Sequence, residues 1–131
     1  MQELPFPLKP MKGYIDEHRH PLIKIKVKGI RKETEIYAIV DSGFDGEVCL
    51  PLQIAISLGL ELRGAEFVEL ADGTTKRELM FEGSIEWDGQ FRDVRISLTN
   101  ARDALIGTGL LIDKILTMNF CSREVHIEQC V

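Results

Sequence analysis

With 131 residues, the chain has room for one hydrophobic core and hardly for two. Hydrophobic residues at 44% and charged residues at 28% exclude a fibrous or wholly disordered chain. A formal charge of −5 argues against nucleic acid as the main partner, and no apolar run is long enough to cross a bilayer as a helix.

The charge is unevenly spread. Residues 1–32 carry eight basic and three acidic residues, while the remainder nets −10. A solvated basic hairpin is a plainer reading of this than attraction between an arm and the body. The opening MQELPFPLKP has no basic stretch leading into an apolar one, as a secretory signal would, so a cytoplasmic protein is expected. Cys49, Cys121 and Cys130 form no CxxC pair, and His18, His20 and His126 lack a clustered third ligand. No disulfide framework, metal or cofactor is expected from such spacing. Cys49, between Val48 and Leu50, reads as a small buried hydrophobe.

Residues 1–20 show little periodicity and read as an N-terminal arm, with the folded domain over 21–131. From Pro21, Ile23, Ile25 and Val27 alternate with Lys24, Lys26 and Lys28, the period of a strand with one apolar face and one lysine face. Residues 29–33 are a polar turn. Residues 35–40 are apolar on both faces and predict a central strand, which ends in the loop Asp41-Ser-Gly-Phe-Asp-Gly46. Residues 47–50 resume extended structure. Pro51 suits the first turn of a short helix over 52–58, closed by Gly59.

A strand over about 65–70 reaches Ala71-Asp-Gly-Thr74, where Asp-Gly suits the positive φ angles of a tight hairpin. The return strand sets Leu79, Phe81, Ile85 and Trp87 on one face. A second Asp-Gly turn at 88–89 leads to the alternating Val94, Ile96 and Leu98. Ala104-Leu-Ile106 is a short buried strand stopped by Gly107, and a short helix is expected over 110–114. Residues 116–120 and 125–129 form a last hairpin. Many short strands with glycine turns indicate a small all-β barrel or sandwich, with one or two minor helices.

The stretch that carries chemistry is Asp41-Ser42-Gly43 at the end of an apolar strand. Alone, the tripeptide is weak: average composition yields an Asp-Ser/Thr-Gly in roughly one chain in twenty of this size, and an aspartate closing a strand is often only an Asx-turn. The surroundings add to it. Residues 36–46 resemble the strand and Asp-Thr/Ser-Gly loop of the retropepsin-like aspartic proteases of single-lobe microbial type. Leu50-Pro51 through Leu60 resembles the segment that follows in microbial members. Leu70-Ala-Asp-Gly-Thr74 with residues 79–85 resembles the flap hairpin, and Ala104-Leu-Ile-Gly-Thr-Gly-Leu-Leu111 resembles the apolar pair and glycine before the C-terminal helix. Together the four segments span about residues 22–128. Ser42 replaces the commoner threonine, Phe44 stands where viral members usually have alanine, and the flap tip at Asp72-Gly73-Thr74 is polar.

The resemblance implies a small closed all-β barrel of retropepsin type and an endopeptidase acting on peptide or protein substrates. It implies Asp41 as the catalytic residue, one from each chain of a homodimer, because this chain holds one Asp-Ser-Gly and the family's chemistry needs two carboxyls. Ser42 and Gly43 would support that dyad, residues Ala71, Asp72, Gly73 and Thr74 would form the flap, and Ile106 and Gly107 would support the cleft loop. The terminal strand 125–129 would join the dimer interface. Two other classes stay open. One is a catalytically idle dimeric peptide-binding or scaffold protein of the same fold. The other is a small barrel binding nucleic acid through Lys24, Lys26 and Lys28, for which Tyr14 and Tyr37 are the only nearby aromatics that could stack on bases.

Overall fold

The computed structural model describes residues 10–130, so the first nine residues of the expected arm lie outside the described residues. Six strands close into a barrel, in the order β2 (Pro21–Lys28), β3 (Glu33–Val40), β8 (Ala104–Ile106), β4 (Val48–Pro51), β7 (Gln90–Thr99) and β6 (Thr75–Trp87), which returns to β2. The closure is short: Val27 lies opposite Ile85 and Lys28 opposite Ser84. The same edge of β2 also serves β1 (Met11–Ile15), which pairs with its first residues as Gly13 opposite Ile23 and Ile15 opposite Pro21. One strand edge is thus divided between closing the barrel and carrying an outer layer. That layer continues from β1 to β10 (Glu124–Gln129) and β9 (Lys114–Asn119).

The period-two pattern explains the core. Ile23, Ile25 and Val27 of β2 point inward with Val40, Val48, Leu50, Ile85, Ile96 and Ile106, all buried. Burial of such side chains contributes about 25 cal/mol per Å² of apolar surface, the main force closing a small barrel. The lysine face is solvated and paired: Lys24 reaches Glu35 at 3.1 Å and Lys26 reaches Glu86 at 3.8 Å. Two of the three lysines that could have bound an anion are thus held by carboxylates of neighbouring strands, and Lys28 lies over the Phe91 ring. Helix α1 (Leu52–Leu58) seats Ala55 and Leu58 in the core, and its Gly59 adopts φ 72° to end it.

The structure departs from the sequence-based expectation in four places. Met11–Ile15 is a strand rather than part of a loose arm; its order comes from backbone pairing to β2 and β10 on either side, which leaves no strong side-chain period in five residues. Strand β3 is central by pairing but not buried on both faces. Tyr37 is half exposed and packs edge-to-face on Tyr14, with ring centroids 5.5 Å apart. Strand β5 starts earlier than expected, at Glu61, and runs to Glu69. The short helix expected over 110–114 is a single 3₁₀ turn at Thr108–Leu110, and Lys114 already opens β9. At that end of the sheet the terminal strand β10 is paired on one edge with β1 and on the other with β9.

The two Asp-Gly turns are not alike. Asp88 and Gly89 both have positive φ, 56° and 79°, as a two-residue hairpin of type I′ requires. At the other turn only Gly73 does, at φ 85°, and Leu70 and Thr74 close a longer loop. Asp88 also reaches beyond its own hairpin. Its carboxylate pairs with the Lys114 ammonium, whose side chain is nearly buried, and accepts from the Gln129 amide at 3.1 Å. This ties the β6–β7 turn to the outer hairpin β9–β10. Asp88→Asn keeps a residue tolerant of positive φ but leaves a buried ammonium without its anion. It should lower the unfolding free energy by about 2 kcal/mol. Lys114→Met, which removes the buried charge itself, should cost less; equilibrium urea unfolding of both variants checks the order.

Candidate active site

Strand β3 delivers Asp41 to the end of the barrel. There the Asp41 N–H donates to the Ile106 carbonyl at 2.9 Å, extending the parallel pairing of β3 with β8 by one residue. Its Oδ1 accepts from the Gly43 N–H at 2.9 Å, and its carbonyl accepts from the Phe44 N–H at 3.2 Å. These bonds turn the chain sharply, so Asp41 is half-buried while Ser42 and Gly43 are exposed. Among the described residues the second oxygen of this carboxylate has no hydrogen-bond partner.

The rest of the loop lies on the segment after β8. The Gly107 N–H donates to the Glu47 carbonyl at 3.0 Å, Thr108 to Phe44 at 2.8 Å and Gly109 to Gly46 at 3.0 Å. The approach is close enough to require glycine. A β-carbon at Gly107 would fall on the Gly46 carbonyl oxygen and 2.5 Å from that of Phe44. The Phe44 ring folds back over Gly46 and Gly107, so that the same β-carbon would sit 2.6 Å from its Cδ2. Thus the structure brings Asp41, Ser42, Gly43, Ile106 and Gly107 into one assembly.

Beside this loop opens a cleft of about 440 Å³. The loop and β4 form one wall, from Phe44 to Cys49, and the hairpin of β5 and β6 forms the other, through Glu66, Val68, Glu78 and Met80. The turn residues Ala71, Asp72, Gly73 and Thr74 lie at the hairpin's end and do not line the cleft. Sequence pattern alone does not mark the wall residues on the hairpin. Residues 66, 68, 78 and 80 share one face in the register that the 70–74 turn sets, which runs unbroken from Glu69 opposite Thr75 to Gly64 opposite Met80 and shifts only at a bulge between Leu62 and Gly64.

Charges around the cleft are ordered by Arg95. Its N–H donates to Glu47 Oε1 at 2.8 Å, and its Nη1 lies 3.5 Å from Glu66 Oε1. Arg92 also reaches Glu47, at 3.4 Å. Burial pushes the Cys49 thiol up; the neighbouring Ser97 hydroxyl partly offsets this and the negative charge of Glu78 adds to it. A thiol held neutral in this way packs rather than attacks. At the hairpin's end the Thr74 hydroxyl and N–H both donate to Asp72 Oδ1, at 2.6 and 2.9 Å, and these bonds hold the Asp72 carboxyl below the ordinary aspartate value. Among the described residues no group of three or more His, Cys, Asp or Glu side chains is placed to hold a metal ion, and no helix is long and apolar enough to cross a membrane.

Two outcomes are expected. Gly107→Ala must push the Phe44–Gly46 backbone away. It should destabilise the fold by about 3 kcal/mol, since neither obstructing carbonyl can swing aside as a side chain could; thermal unfolding against Gly109→Ala, where the nearest obstruction is 2.9 Å away, gives the comparison. The Asp72 turn should stay closed above pH 3.8, the value of an unperturbed aspartate, and loosen only as pH falls through the lowered value in the folded chain. Amide exchange at residues 70–74 across that range measures it.

No family model matches the sequence, and no curated protein matches it either. Solved structures do. A retropepsin-like aspartic protease from Rickettsia conorii superposes with a TM-score of 0.67 at 15% identity, covering 92% of this chain and 91% of that one. The EIAV protease, in complex with an inhibitor, gives 0.58 at 14% identity over 75% and 90% of the two chains. The protease of simian foamy virus gives 0.53 at 14% identity over 70% and 91%. The closed barrel, with its one α-helix among the described residues, therefore has the fold of the retropepsin-like aspartic proteases.

Proposed function

We propose that the chain is an aspartic endopeptidase that acts as a homodimer, with Asp41 of each protomer meeting on the two-fold axis. The observation that carries this is the placement of Asp41: a half-buried carboxylate with one oxygen bound by the Gly43 N–H, on a loop fixed to Gly107–Gly109 and adjoining a peptide-sized cleft. The sequence holds one Asp-Ser-Gly, so a C₂ dimer is the economical way to bring two such carboxyls together. Ser42 and Gly43, exposed beside it, are free to meet their symmetry mates, Ser42 by hydrogen bonding near the axis and Gly43 by allowing close packing.

In this reading two carboxyls at hydrogen-bonding distance share one proton, because both cannot ionise easily so close together. The ionised member accepts a proton from a water molecule held between them. The water oxygen attacks the scissile carbonyl, while the protonated member donates to the carbonyl oxygen. Collapse of the tetrahedral intermediate passes a proton to the leaving amine and returns the pair to its starting charge. The hairpin of β5 and β6, with Ala71, Asp72, Gly73 and Thr74 at its tip, closes over the bound peptide and excludes bulk water. Its partners are peptide or protein substrates and a second copy of itself.

Asp41→Asn retains an oxygen for the Gly43 N–H and removes the ionisable group. It should abolish peptide hydrolysis while shifting the thermal midpoint little, as cleavage of a peptide library and a melting curve on the same sample will show. Mixed chains test the shared site. When wild-type and Asp41→Asn chains are co-refolded in equal amounts and pair at random, symmetry leaves about a quarter of dimers fully wild type, and activity should fall to about that quarter. An independent site in each chain predicts that about half survives; the larger figure would refute the shared dyad.

A further inference from the structure

The hairpin register brings two like charges face to face. Glu66 of β5 stands directly opposite Glu78 of β6, and both line the cleft. Opposed carboxylates on one face of a hairpin destabilise it, so such a pair calls for a cation. Arg95 lies 3.5 Å from Glu66 but divides itself, its Nε being 3.8 Å from Glu47, which Arg92 also reaches. Glu78 has no ion pair or side-chain hydrogen bond among the described residues. It is nevertheless half-buried and lines the cleft, across from Cys49 on the opposite wall.

The cleft around this pair is not merely acidic. Val68 and Met80 on the hairpin, with Phe44 and Leu105 across from them, give it apolar walls. A ligand group that fits both features has an aliphatic stem of several methylenes and a positively charged end. Among peptide side chains only lysine and arginine combine the two, since their stems pack on apolar surface while the head stays with polar partners.

We propose that this cleft is the subsite that selects substrate, and that it takes a lysine or arginine side chain whose stem lies between Met80 and Phe44 and whose head sits at Glu78. The assignment rests on the peptidase reading above and names its substrate class: peptides basic at the position that enters the cleft. Phe44 sets the depth of the subsite, because its ring is folded against Gly46 and Gly107 and has no room to retreat. Arg95 keeps Glu66 engaged, which leaves Glu78 as the residue that discriminates.

Two readouts keep the inference separate from the reading on which it stands. The first is cleavage by the wild-type chain of paired peptides that differ by lysine against norleucine, which share the stem and differ in charge. The second is binding of the same labelled peptides to Asp41→Asn by fluorescence anisotropy, which needs no catalysis. The lysine peptide should be preferred about tenfold in both, the ratio expected of one added charge contact in a partly solvated cleft. The preference should shrink as salt is raised. Glu78→Gln should bring the ratio to within about twofold, and Glu78→Lys should reverse it in favour of a glutamate-bearing peptide. Binding with lysine preference but no cleavage by the wild-type chain would overturn the peptidase reading and leave the subsite standing. Equal handling of lysine and norleucine peptides, a preference unmoved by Glu78→Gln, or no binding of either peptide would overturn the subsite.

Discussion

Four main-chain hydrogen bonds join the Asp41–Glu47 loop to the Ile106–Gly109 segment, and the position of the catalytic candidate depends on them. They run between two stretches about sixty residues apart in sequence, one leaving β3 and the other leaving β8. Because β3 and β8 are parallel neighbours, both chains emerge at the same end of the barrel and in the same direction. The loop therefore has a partner for its backbone without a strand of its own. Backbone polar groups left without partners there would carry the full cost of desolvation, so the loop has little freedom to take another shape. Gly107 is the condition for this contact, and Phe44 covers it.

The barrel around this contact is economical. Only two residue pairs join β6 to β2, at Val27 with Ile85 and Lys28 with Ser84, but the side chains of Val27 and Ile85 are fully buried there. Closure is maintained by the shared core as much as by hydrogen bonds. The remaining length of each strand is free for other duties. The first residues of β2 accept β1 and with it the outer sheet, and the first residues of β6 reach out to pair with β5 and form the cleft wall. The Asp88 carboxylate, at the turn after β6, then fixes the outer hairpin through Lys114 and Gln129.

Much of this architecture could be read from residue order. The alternation of Ile23, Ile25 and Val27 with lysines, the Asp-Gly turns, the helix ending at Gly59 and the buried Ala104–Ile106 strand all rest on local physics, namely side-chain period and turn chemistry. What could not be read depends on pairing between distant segments. Strand β1 is too short for its side-chain period to announce it. The helix expected over 110–114 gave way to a 3₁₀ turn because Leu110, Leu111 and Lys114 hydrogen-bond back only three residues, to Gly107, Thr108 and Leu111, before β9 begins. At the candidate site the loop was legible as Asp41-Ser42-Gly43, since its chemistry is local. The opposite wall was not, because the turn sets Glu66 opposite Glu78 but not which face of the hairpin meets the loop, and the bulge that offsets β5 beyond Gly64 has no mark in the sequence.

That bulge between Leu62 and Gly64 has a bearing on how the hairpin can change over time. Successive residues of a strand face opposite ways, so the cleft wall consists of every second residue of β5 and β6. An insertion or deletion of one residue between the bulge and the turn would turn Glu66 and Val68 outward and bring Phe67, now 78% exposed, into the cleft. A change of two residues in each strand would lengthen or shorten the wall and keep its chemistry. Hairpins of this kind should therefore differ in length by even steps, and an odd step should be tolerated only where a second bulge restores the facing. Parity, more than residue identity, is the property that this wall obliges the chain to keep.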